Sequence, residues 1–155
     1  MENQYLQRLM DSLTEKDNLK LVRKEAKAFH KSHTVSECFN MALELYQAEN
    51  FQIQEVAVFL LGYVANEKAD ALLFLKDTVS LHPSWKVQEV LAMAFDAFCK
   101  SNGYKESVPI IQQWISSDLA NTRRAAIEGL RIWTSRPYFK DYPEKAVALI
   151  SSLNN

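Results

Sequence analysis

The chain has 155 residues, a length that predicts one domain with a sizeable core. Its formal net charge is −1, which argues against strong non-specific binding to nucleic acid; residues 1–83 carry nine Lys/Arg against twelve Asp/Glu, and residues 84–155 carry nine against seven. Three glycines and four prolines are too few for a turn-rich sheet protein, and neither a signal peptide nor an apolar run of roughly 18 residues is present. We therefore expect an all-α protein in the cytoplasm, without a membrane anchor.

The periodicity of apolar residues predicts about nine helices along the chain. They are expected near residues 3–14, 18–31, 34–48, 51–65, 68–81, 84–101, 104–116, 119–134 and 143–153. The candidate N-caps, whose side-chain oxygens can accept an amide hydrogen bond in the first turn, are Asp17 or Asn18, Thr34, Ser84 and Asp118.

An internal repeat with a period near 34 residues is the strongest organisational signal. The segment that begins at Phe51 aligns with the segments that begin at Trp85 and at Ala120, with offsets of 34 and 35 residues. Each copy follows another amphipathic helix, and a helix pair of this length cannot bury its apolar face alone. The repeat predicts a single domain over residues 1–155, an α-α superhelix of the HEAT-like helical-repeat type.

The last predicted helix lacks the partner helix that a further repeat would supply. Its apolar residues are Val147, Leu149, Ile150 and Leu153. This face must fold back, pair with a second copy, or be covered by further chain. We expect that one or more further C-terminal repeats are missing, or that the helix forms a homodimer contact.

The sequence predicts neither a metal site nor a cofactor. It has no Gly-rich phosphate loop, no Cys or His cluster at ligand spacing, and no Ser-His-Asp elbow. Cys38 and Cys99 lie in separate apolar helical stretches, which indicates buried free thiols in a reducing compartment.

An aromatic residue and a carboxylate stand four residues apart at the start of one helix. Trp85 and Glu89 therefore share a helix face. On an open surface this pair would suit a planar cationic ligand, since cation–π attraction contributes roughly 0.5–2 kcal/mol in a partly desolvated site. In a structural alternative, Trp85 closes the groove between helices and Glu89 pairs with Arg124 of the next repeat.

Basic residues accompany the second and third copies of the repeat. Arg123 and Arg124 stand in a first helical turn, where positive charge opposes the helix dipole, so they are expected to face carboxylates or phosphates. Further on, Arg131, Arg136 and Lys140 alternate with Trp133, Tyr138 and Phe139, a mixture that suits phosphate contact and base stacking or, alternatively, helix-end packing with solvated charges. If these cations and Lys86 line one face, DNA binding is favoured over a protein-binding scaffold.

These segments together resemble the AlkD-like DNA alkylation repair family of HEAT-like proteins. The resemblance covers roughly residues 20–153 and is carried by the run from Trp85, the Arg123-Arg-Ala-Ala segment and Arg136-Pro-Tyr-Phe. It implies a DNA glycosylase that grips duplex DNA on its concave face and excises cationic N3- or N7-alkylated purines. Electrostatic stabilisation of the sugar cation would be the main catalytic requirement.

The family's working residues are carried over position by position. Trp85 matches the first aromatic, Glu89 stands where the family has Asp, and Arg124 matches the DNA-contacting arginine, while the family's second Trp has no counterpart before Asn155. The expected catalytic residues are Glu89 and Trp85. The expected DNA contacts are Arg124, Arg123, Lys86, Arg131, Arg136 and Lys140. The alternatives are a non-catalytic module that binds DNA or a protein, and a self-associating scaffold.

Overall fold

The computed structural model describes residues 3–15, 17–133 and 140–151, except for the side chains of residues 130, 131, 133, 146, 149 and 150. Nine α-helices and no strand lie within these ranges, which confirms the all-α fold. The helices are α1 (Gln4–Ser12), α2 (Leu19–Ser32), α3 (Val35–Tyr46), α4 (Phe51–Val64), α5 (Ala69–Asp77), α6 (Trp85–Asn102), α7 (Tyr104–Ile115), α8 (Ala120–Trp133) and α9 (Pro143–Ser151).

The predicted helix boundaries agree with the structure except in one segment. The helix expected over residues 68–81 ends at Asp77, and a separate 3-10 turn, Val79–Leu81, leads into α6. The copies of the repeat begin at Phe51, Trp85 and Ala120, as predicted.

Side-chain caps explain where several helices start. Asn18 accepts a hydrogen bond from the Leu21 amide, and Thr34 forms a reciprocal capping box with Glu37. Ser84 stands at the N-cap of α6 but makes no capping hydrogen bond through its side chain. Asp118 lies two residues before α8, so it is not the N-cap of that helix.

Helices α2, α4, α6 and α8 pack side by side and form an inner row, while α3, α5 and α7 pack against this row. Helix α4 is central to the core, and eleven of its fourteen residues are buried, since it has neighbours on both sides. It crosses α6 closely at Gly62, where an added Cβ would lie 2.7 Å from the carbonyl oxygen of Ala94. Glycine is therefore required at this contact.

The core also contains both cysteines, as expected. Cys38 and Cys99 are free thiols without solvent exposure, and burial raises the pKa of each. Helix α9 exposes Val147, whereas the side chains of Leu149 and Ile150 lie outside the described residues. The homodimer contact through this helix stays a prediction.

Candidate functional site

A groove of about 490 Å³ runs between the inner-row helices α6 and α8. It brings together the three residues singled out by the sequence, Trp85, Glu89 and Arg124. The indole of Trp85 is 60% exposed, which is unusual for the largest apolar side chain and leaves its ring available to a ligand. The other residues that line the groove are Gln88, Ala92, Met93, Asn121, Ala125, Glu128 and Ile132.

Helix geometry explains why these side chains share the groove. Glu89 is the fifth residue of α6, and Arg124 is the fifth residue of α8. Trp85 is the first residue of α6. First and fifth positions lie one turn apart on one helix face. Among the described residues, no ion pair within 4 Å joins Glu89 to Arg124, so the structural alternative of a closed pair is not realised.

The second and fourth positions of α4, α6 and α8 hold other segments in place by hydrogen bonds or an ion pair, and two of these residues, Gln88 and Asn121, also line the groove. At the fourth position, Gln54, Gln88 and Arg123 donate hydrogen bonds at 2.8–3.3 Å to carbonyl oxygens of the segment before their own helix, which are those of Tyr46, of Val79 and His82, and of Ser117. At the second position, Gln52 of α4 and Lys86 of α6 both bind the loop before α2, and Asn121 of α8 binds the turn before α6. We call these six residues the loop clamps.

The loop clamps change the interpretation of two predicted DNA contacts. Lys86 pairs with the Asp17 carboxylate, and the guanidinium of Arg123 donates to the Ser117 carbonyl oxygen at 2.8 Å. Both side chains therefore have intramolecular partners, and neither lines the groove. Arg124 is the one predicted DNA contact that the described residues place there.

The remaining predicted cations are not placed in the groove. Lys140 is exposed beyond α8, while the side chain of Arg131 and all of Arg136 lie outside the described residues. In the same stretch, the side chain of Trp133 and all of Tyr138 and Phe139 also lie outside the described residues. The roles expected for this segment stay predictions.

The preceding repeat contains an equivalent aromatic–carboxylate pair, Phe51 and Glu55, at the first and fifth positions of α4. The ammonium group of Lys86 lies 4.7 Å from the centre of the Phe51 ring and 5.9 Å from that of Trp85, while it also binds Asp17. A cation thus already lies against the aromatic member of the α4 pair.

Glu55 is 5% exposed, in contrast to the exposed Glu89. Burial, with smaller effects of the negative charges on Asp17 and Glu89, raises the pKa of Glu55 to about 7, although Lys86 acts in the opposite direction. Near neutral pH this carboxyl group of α4 therefore gains or loses its proton.

The raised pKa of Glu55 predicts a specific pH dependence of stability. The folded state binds the proton more tightly than the unfolded state, whose pKa is near 4.5. The contribution of this proton to the free energy of unfolding is fully present below pH 4.5 and is lost as pH rises through about 7. Between pH 5 and 8 we expect the free energy of unfolding of wild type to fall by about 2–3 kcal/mol relative to Glu55→Gln.

Urea unfolding followed by circular dichroism at several pH values measures this difference. Glu67→Gln, a change at an exposed carboxylate in the loop after α4, is the control and should keep the wild-type dependence. Parallel pH profiles of wild type and Glu55→Gln would contradict the assignment.

One basic residue near the groove was missed by the sequence analysis. Arg23 of α2 donates a hydrogen bond to the Met93 sulfur at 3.3 Å, and its guanidinium carbon lies 5.3 Å from the centre of the Phe59 ring. Since Met93 lines the groove, Arg23 brings a positive charge to the edge opposite Arg124. The spacing of Lys and Arg along residues 20–31 was the available signal.

Neither a metal site nor a membrane-spanning helix occurs within the described residues. No group of three or more His, Cys, Asp or Glu side chains there could hold a metal ion. Across residues 3–15, 17–133 and 140–151, no helix combines the length and apolar character needed to cross a bilayer.

Comparison with known proteins gives one family and close structural relatives. The family model described as "DNA alkylation repair enzyme" matches residues 18–154. The crystal structure of AlkD2 from Streptococcus mutans is 43% identical with a TM-score of 0.92, and that of smu.31 from Streptococcus mutans UA159 is 43% identical with a TM-score of 0.89. Each alignment covers 97% of this chain and 72% of the other. The search of curated proteins gives no significant match.

Proposed function

Because the chain belongs to the DNA alkylation repair enzyme family, we propose that it is a DNA glycosylase that removes cationic N3- or N7-alkylated purines from duplex DNA. The observation that carries this proposal is the groove in which an exposed indole, a carboxylate and an arginine converge, namely Trp85, Glu89 and Arg124. The groove offers a π-face and negative charge to a cation, and positive charge to a phosphate.

The reaction needs little proton transfer because the substrate base is already positively charged. The bond between C1′ of the sugar and the base nitrogen breaks, and the base leaves with the electron pair as a neutral purine. The sugar is left as an oxocarbenium-like cation, which the Glu89 carboxylate would stabilise. Water then adds to C1′, and its proton passes to the carboxylate or to solvent.

Trp85 and Arg124 would hold the substrate during this step. The exposed indole can contact the positively charged base or its sugar, an attraction of roughly 0.5–2 kcal/mol when the contact is partly desolvated. Arg124, on the facing helix, can bind a phosphate oxygen and fix the position of the strand. Correct placement matters because small displacements of reacting groups cost large factors in rate.

The test is release of free 7-methylguanine and 3-methyladenine from methylated duplex DNA, measured by chromatography under single-turnover conditions. Ionic strength should be kept low and stated, since each phosphate contact weakens binding as salt rises. Release clearly above spontaneous depurination is the expected result. Release at the spontaneous rate, with the duplex demonstrably bound, would overturn the glycosylase proposal.

A second candidate function is a non-catalytic module that binds DNA or a protein through the same groove. It is favoured by the intramolecular partners of Lys86 and Arg123 and by the presence of Glu89 and Glu128 in the groove, because these features reduce its positive charge. Tight duplex binding without base release would support this candidate. Binding of neither intact nor methylated duplex would restrict it to a protein partner.

A further inference from the structure

Helix α2 carries a line of positive charge that the predicted function does not use. Its Lys and Arg residues are all exposed, and they are Lys20, Arg23, Lys24, Lys27 and Lys31. Their spacing places them on one face of the helix, opposite the buried residues Val22, Ala26 and Phe29. We call these five cations the α2 stripe; it extends about 16 Å along the helix.

No carboxylate within the described residues neutralises the α2 stripe. The single acidic residue of the helix, Glu25, faces α1, where its carboxylate pairs with Arg8 at 2.8 Å. No stripe residue forms an ion pair within the described part of the chain. Like charges three or four residues apart destabilise a helix by a few tenths of a kcal/mol per pair. An external polyanion would offset this cost.

Arg23 connects the α2 stripe to the groove. It lies at the edge of the stripe, and its contacts with Phe59 and Met93 carry its guanidinium across α4 to α6. The stripe and the groove are therefore joined along the inner row of helices. A long, uniformly charged ligand could contact both at once, whereas a small anion could not.

We propose that the α2 stripe is a second DNA contact, which binds the phosphate backbone several nucleotides away from the base in the groove. This proposal rests on the proposed function only for the identity of the polyanion. An anionic membrane is a poorer match, because a membrane-surface helix inserts its apolar face, and that face of α2 is buried in the core. Lysines without base-reading partners bind phosphates irrespective of sequence.

The test replaces three stripe lysines and compares the result with a matched change elsewhere. The stripe variant is Lys20→Gln/Lys27→Gln/Lys31→Gln, and the control variant is Lys100→Gln/Lys105→Gln/Lys145→Gln, which removes equal charge from exposed sites near α7 and α9. Circular dichroism and urea unfolding establish that both variants are folded. Fluorescence anisotropy with an undamaged duplex then gives the affinity at several salt concentrations.

For the stripe variant we expect at least a tenfold loss of affinity at the lowest salt. The slope of log K against log salt should decrease in magnitude by roughly 2–3, about one for each lost phosphate contact. The control variant should retain the wild-type slope. Equal losses in both variants, unchanged binding by the stripe variant, or no duplex binding by wild type would each overturn the proposal. Wild-type binding to phosphatidylserine vesicles in place of duplex would also overturn it.

Base release in the same samples separates this proposal from the proposed function. At saturating protein concentration, the stripe variant should release methylated bases at the wild-type rate, because the groove is intact. If the stripe variant loses duplex affinity but neither wild type nor any variant releases base, the glycosylase proposal is overturned and the α2 contact stands. If the stripe variant releases base at the wild-type rate and binds duplex with the wild-type affinity, the α2 contact is overturned and the glycosylase proposal stands.

Discussion

Replacement of Glu89 by Gln is expected to lower the single-turnover rate of base release by about 10²–10³-fold, the usual cost of removing one preorganised electrostatic group from an active site. The amide has the shape of the carboxylate but no charge, so the developing sugar cation loses its stabilisation. Duplex affinity should stay the same or rise slightly, since Glu89 is expected to repel phosphates rather than bind them. The measurement combines methylated-base release with anisotropy on the same duplex.

Two further variants make the Glu89 result specific. Glu89→Asp restores the charge on a side chain shorter by one methylene, and we expect it to recover part of the rate lost in Glu89→Gln. Glu67→Gln, which is exposed in the loop after α4, should release base at the wild-type rate. A wild-type rate for Glu89→Gln would remove Glu89 from the mechanism even if the chain proves to be a glycosylase.

Replacement of Trp114 by Ala is expected to lower the free energy of unfolding by about 3–5 kcal/mol. Trp114 in α7 has no solvent exposure, and its ring stacks on that of Phe95 in α6 at 3.8 Å between centroids. The substitution would leave a large cavity between two repeats. Urea unfolding of Trp114→Ala and of the exposed neighbouring change Gln113→Ala measures this difference.

Trp114→Phe adds a second test of the same contact. The indole nitrogen of Trp114 is buried and finds no hydrogen-bond acceptor within the described residues. Phenylalanine keeps the aromatic stack and removes that unsatisfied donor, so the loss should be clearly smaller than for alanine. Equal midpoints for Trp114→Ala and Gln113→Ala would show that this contact contributes little to stability.

Much of the fold was predictable because its signals are local. The repeat period located the starts of α4, α6 and α8, since small and aliphatic residues recur at the same distance after each start. Thr34 and Asn18 could be identified as caps from their residue type alone. The break after Asp77 was not predicted, because the 3-10 turn that follows it has no glycine or proline before Pro83 and continues the apolar pattern.

The site was only partly predictable because spacing does not reveal which partner a side chain finds. The four-residue separation of Trp85 and Glu89 correctly placed both on one face. Lys86 was expected to contact DNA, yet its partner Asp17 lies 69 residues away in the sequence. No local pattern contains that contact.

The α2 stripe was missed for a different reason. Net charge over residues 1–83 is negative, and an average over half the chain conceals one strongly basic helix within it. Glu25 also lowers the net positive charge that the sequence of α2 indicates, although in the structure its carboxylate pairs with Arg8 and points away from the lysines. The net charge of a surface therefore depends on how each charged side chain is oriented as well as on the composition of the segment.

The burial of Cys38 and Cys99 bears on how the protein withstands the reagents that create its proposed substrate. Electrophilic methyl donors react with thiolates, and a thiolate forms only where a thiol can ionise in contact with water. Both sulfur atoms are closed off from solvent, and their raised pKa values keep them protonated. We therefore expect that neither thiol is methylated while the protein is folded.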